Sequence, residues 1–134
     1  MAEELLVGDQ LTSEHIRAGG LIVDALDKLD IGLKGAFWIL LTEPRVWRLY
    51  LATSEARTLG PKAVYQKIAA ELQKLPSDAE WIGAKDISVV EDRDPLFLML
   101  RSLVHTGPGI AGIRVSRNVI DGRLIEDSYI YRTA

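Results

Sequence analysis

The residues that could do chemistry in this 134-residue chain are few, and each has a structural reading beside its functional one. The run Gly107, Pro108, Gly109, Ile110, Ala111, Gly112 matches G-x-G-x-x-G letter for letter. A dinucleotide site needs a strand before such a run and a helix after it, so that the pyrophosphate meets a helix N-terminus. Here an apolar helical stretch comes first and a β-rich stretch follows. Gly107, Gly109 and Gly112 therefore read as a helix stop and a strand entry, and no cofactor is expected.

His15 and His105 are the only histidines, and either titrates where a general acid or base is useful. Neither belongs to a pattern such as H-E-x-x-H, and the chain has no G-x-S-x-G or Walker motif. His105 is the single catalytic candidate. Its structural reading is a cation at the C-terminal end of the apolar helix before it. Glu91, Asp92 and Asp94 lack the spacing of a calcium loop and read as a solvated turn with an N-cap. With no Cys anywhere, disulfides, thiolate nucleophiles and thiolate zinc sites are excluded, and no metal is expected.

Arg114, Arg117 and Arg132, with Tyr129 and Tyr131, form the richest polar and aromatic group. Alternate strand positions would display several of them together, as a face for a protein partner, an anion or single-stranded nucleic acid. These five are the expected partner-binding residues, with internal pairing to nearby acids as the structural reading. All six Lys fall at or before Lys85, so the basic residues of the C-terminal third are all Arg, which suits planar and stacked contacts. A net charge of −3 and a pI near 5.4 argue against a phosphate-backbone binder. The opening MAEELLVGDQ has no signal-peptide pattern and no apolar run reaches a membrane span, so a cytoplasmic protein without membrane contact is expected.

The stretch that positions everything else is Ala36 to Thr53, read as two strands around a break at Thr42, Glu43, Pro44 and Arg45. Its first strand puts Phe37, Ile39 and Leu41 on one face and Ala36, Trp38 and Leu40 on the other. The second sets Val46, Arg48, Tyr50 and Ala52 against Trp47, Leu49 and Leu51. Strands apolar on both faces are covered on both sides or lie in a subunit interface. Before them, Thr12 or Ser13 caps a helix with Ile16, Ile22, Val23, Leu26 and Leu29 inward and Asp24, Asp27, Lys28 and Asp30 outward. Gly19 and Gly20 interrupt it. Either they mark a close approach of this helix to the sheet, or the helix begins after them.

After a polar connection at Ser54–Thr58, Pro61 starts a helix with Val64, Ile68, Leu72 and Leu75 as its apolar stripe and Pro76 as its stop. Trp81, in the loop that follows, plugs a gap in the core or lines a pocket, and 86–90 reads as a short strand. Asp94 and Pro95 then open a helix through 96–104, too apolar all round for a surface element. Finally, 112–132 reads as a hairpin turning at Asp121 and Gly122, with Arg117 opposite Glu126, Val119 opposite Leu124 and Arg114 opposite Tyr129. Leu5, Leu6 and Val7 would dock on the body.

The expectation is one α+β domain over 1–134, with a mainly antiparallel sheet of about five strands (two hairpins plus one strand) covered by three helices. The order is α-β-β-α-β-α-β-β. At this length a domain buries roughly two-thirds of its unfolded surface. The functional expectation is a non-enzymatic protein-protein interaction module, self-associating as a homodimer. The alternatives are a small-molecule-binding domain or small enzyme using His105 and the Gly107–Gly112 loop, and a nucleic-acid accessory protein using the Arg and Tyr face.

Overall fold

The structure is a computed structural model and describes residues 10–75, 82–120 and 122–134. The expected α+β architecture is present. Five strands, β1 (Leu33–Thr42), β2 (Arg45–Thr53), β3 (Ile87–Glu91), β4 (Ile113–Ile120) and β5 (Arg123–Thr133), form one sheet in the order β3-β2-β1-β5-β4. Every pair is antiparallel except β2–β3, which is parallel, so the sheet is mixed. The helices are α1 (Ser13–Asp27), α2 (Ser54–Leu59), α3 (Pro61–Leu72) and α4 (Pro95–Leu103). The short α2 replaces the polar connection expected at Ser54–Thr58: the Thr53 side chain accepts from Glu55 N–H and caps a turn of SEARTL.

The central hairpin distributes its side chains as the period of two requires. Trp38, Leu40, Trp47, Leu49 and Leu51 join the cluster beneath α1 and α3, while Phe37, Ile39 and Ala52 join a second cluster beneath α4. Both faces of β1 and β2 are therefore buried, and Trp38 is 1% exposed. Val64 and Ile68 carry the stripe of α3 into the first cluster. Tyr65 Oη donates to the Ile87 carbonyl and accepts from Val89 N–H, fastening α3 to β3.

Two glycines mark close approaches between layers. Helix α1 runs unbroken from its Thr12 cap through Gly19 and Gly20, which resolves the two readings of that pair. A Cβ on Gly19 would stand 2.3 Å from Tyr131 Oη and 2.8 Å from Trp38 Nε1, so only glycine lets α1 rest on these two rings. On the opposite face a Cβ on Gly35 would meet the Phe97 ring at 2.4 Å, which seats α4 directly on β1.

Helix α4 begins as expected, with the Asp94 carboxylate accepting from Leu96 and Phe97 N–H. It is not buried all round. Leu96, Phe97 and Leu100 enter the core, but Leu98 and Leu103 stay exposed, because only one sheet face is available to a helix of nine residues. Among the described residues no helix is long and apolar enough to cross a membrane. Leu5, Leu6, Val7, Pro76, Trp81 and Asp121 lie outside the described residues.

Candidate functional site

The second hairpin holds all the Arg and Tyr candidates, and its geometry divides them. Arg114 faces Tyr129 and Val119 faces Leu124, in the expected register. Between them the ladder passes over Arg117, whose φ is +52°, a left-handed conformation that few non-glycine residues adopt. Alternation fails at this point. Ile113 and Val115 before the break, and Ile120 after it, all contribute to the α4-side cluster, as do Ile125 and Ile130 on the partner strand. The expected Arg117–Glu126 contact is present at 3.9 Å, and Arg45 reaches the same carboxylate at 3.9 Å.

The hairpin also parts from its neighbour. The β1–β5 ladder stops at Ile39–Ser128 although β1 continues to Thr42 and β5 starts at Arg123. Past that point the hairpin turns over the α4 face, where Leu124 and Ile125 border a cavity of about 100 Å³ together with Leu96. At the outer end Val119 and Leu124 are left 68% and 52% exposed.

Of the five expected partner residues, Tyr131 and Arg132 are taken into the interior. Tyr131 Oη donates to the Ile16 carbonyl and accepts from Trp38 Nε1 at 3.1 Å, tying α1 to the sheet. Burial pushes this phenol well above its usual range, the Trp38 N–H working against it. Arg132 is 4% exposed and makes a two-pronged pair with Asp27 at 2.7 and 2.8 Å. Its remaining bonds go to the carbonyls of Leu33 and Gly109. Tyr129 is half-buried, edge-on to Tyr131 at 5.3 Å. Arg114 grips Asp127 at 2.7 and 2.6 Å and lies 5.6 Å from the centre of the Trp47 ring. The Arg114 hydrogen bond holds the Asp127 carboxyl below its usual range against desolvation. Arg117 alone of the five is almost wholly exposed.

The other candidates separate in space. His105 is exposed, with Nε2 3.5 Å from Arg101 Nη2, while the helix-end carbonyl of Val104 accepts from Thr133 Oγ1. The glycine run lies between α4 and β4 and is pinned to β5: Ala111 N–H donates to the Tyr131 carbonyl and the Gly109 carbonyl accepts from Arg132. It thus has a helix before it and a strand after it, opposite to a dinucleotide fingerprint. His15 sits in the first turn of α1, its Nδ1 2.6 Å from Thr12 Oγ1 and its ring edge-on to Trp38 at 5.7 Å. Burial lowers its pKa from 6.5, with Asp86 and Glu14 opposing. Asp92 is claimed by Arg57 at 3.0 and 3.2 Å, and Glu91 by Arg93 at 2.8 Å. Among the described residues no three His, Cys, Asp or Glu side chains come together as a metal site.

Two residues that matter here carried no sequence signal. Asp27 falls on the polar side of the α1 pattern yet partners a buried Arg 105 positions away. Trp47 becomes the ring beneath Arg114 only because β2 and β4 belong to one sheet. Comparison with protein-family models, curated proteins and solved structures finds no match to this chain.

Proposed function

We propose that this chain is a non-enzymatic protein-protein interaction module whose contact surface is the outer edge of β4, with a homodimer as its simplest assembly. The observation that carries the reading is the position of β4. Among the described residues it is an edge strand of eight residues, bonded to β5 on one side only, beside the exposed pair Val119 and Leu124. An open edge offers a row of backbone donors and acceptors to an added strand, and neighbouring apolar side chains give that strand something to bury.

Arg117 limits how far such pairing can run. Its left-handed conformation and exposed guanidinium divide the edge into a regular stretch, Ile113–Ser116, and a turned distal one. Kinks and charges are the means by which edge strands avoid indefinite stacking. A short, closed two-fold pairing fits this edge better than a fibre.

Light scattering across a concentration series tests the reading. The wild-type chain is expected to shift from monomer to dimer with rising concentration, and Val115→Pro, which removes a β4 N–H, to stay monomeric. Because Val115 is buried, Val119→Lys serves as the second variant, expected to weaken the dimer at least tenfold without changing the fold. A wild-type chain that stays monomeric at every concentration overturns homodimerisation. A dimer indifferent to both changes overturns the β4 assignment.

A further inference from the structure

We infer that the cavity between the end of β1 and the turned-over tip of the second hairpin is a binding site for a small aliphatic carboxylate. Its walls are Ile39, Leu41, Leu96, Leu124 and Ile125, and its polar lining comes from Thr42 and Arg123. An engineered apolar cavity of about 150 Å³ admits benzene. At about 100 Å³ this one admits a branched aliphatic group of about four carbons, the size of a leucine side chain.

The charge around the cavity selects the head group. Arg45 and Arg117 both approach the carboxylate of Glu126, and Asp127 is held by Arg114 and Ser116. Arg123 lines the cavity, and its guanidinium forms no hydrogen bond or ion pair among the described residues. An arginine lining an apolar cavity suits an acid with two oxygens to accept the guanidinium fork. The parting of β1 from β5 makes the space: had the ladder continued past Ile39–Ser128, the strands would have closed on it. This inference does not depend on pairing at the β4 edge.

Two sources supply the same chemistry, a free branched-chain acid and the C-terminal leucine of a peptide. Amide-resolved NMR titration of the full chain distinguishes them with 4-methylpentanoate, N-acetylglycylleucine, and the neutral amide of each. Saturable shifts at Ile39, Leu96, Leu124 and Ile125 are expected with the acids and at least tenfold weaker binding with the amides. Arg123→Gln, at an exposed position, should weaken the acids at least tenfold and leave the rest of the spectrum in place. The tighter of the two acids identifies the source. The absence of saturation with either acid, equal binding of acid and amide, or an Arg123→Gln chain that binds normally overturns the assignment.

Discussion

The two hairpins of this sheet are built alike and treated differently. Each joins two strands through a two-residue connection, Glu43–Pro44 in the first and 121–122 in the second. The first keeps its alternation from Ala36 through Ala52, past an irregularity at Leu33/Gly35, lies at the centre with β3 and β5 beside it, and is sealed by helices on both faces. The second loses alternation at Arg117, leaves β1 halfway along, and ends in exposed Val119 and Leu124. The contrast teaches that a hairpin's own sequence sets its register, whereas its neighbours decide which side chains are buried. Among the described residues, the distal half of the second hairpin has no sixth strand to hold it flat.

Four substitutions break or sharpen this contrast. The largest effect is expected at the centre: Trp38→Ala empties the space under α1 and leaves the Tyr131 hydroxyl without its donor, costing about 3–5 kcal/mol in chemical denaturation. A truncation at the periphery, Val119→Ala, should stay within about 0.5 kcal/mol, and a larger loss there would erase the distinction between the hairpins.

Next is the tether that joins the inner half of the second hairpin to α1. Asp27→Ala leaves the buried Arg132 guanidinium without its carboxylate. Because Asp27 is itself 39% exposed and water can enter, a loss of about 2 kcal/mol is expected, below the usual 3–5 for a fully buried pair. Amide exchange should show it as faster opening of residues around Thr106–Ala111, whose loop bonds to β5 beside Arg132. Uniform loss over the whole sheet would mean that the pair is not a local tether. The smallest effect is expected at the break. Arg117→Gly relieves a left-handed arginine and should stabilise the chain by about 0.5 kcal/mol, the loose contact to Glu126 being a minor loss at this exposure. A clear destabilisation would show that the side chain, not the backbone, holds the bend.

Much of the first hairpin was legible because its burial follows a period of two over strands long enough to show it. The faces of Phe37, Ile39 and Leu41 against Trp38 and Leu40 came directly from that alternation. The Asp94 cap and the Pro61 start were legible because they are local bonds and local sterics. The parallel pairing of β2 with β3 was not, since strand direction depends on the path of α2 and α3 between them. Tyr131 and Arg132 illustrate the other limit. A polar Tyr-Arg-Thr ending reads as a solvated strand, yet β5 lies between β1 and β4, and Tyr131, Arg132 and Thr133 are all buried. Their partners, Trp38 and Asp27, are about a hundred residues away, beyond the reach of any local pattern.

That same separation governs how the chain must assemble. The bond between Trp38 and Tyr131 closes a span of 93 residues across the middle of the sheet. The β1–β2 hairpin can zip on the microsecond scale, but joining β5 to β1 waits on a diffusive search over a long loop. Topologies dominated by such distant pairings fold over milliseconds to seconds. Until β5 arrives, the apolar edge of β1 has no neighbour, so the hazard for this protein lies in the interval before the sheet closes, not in the finished fold.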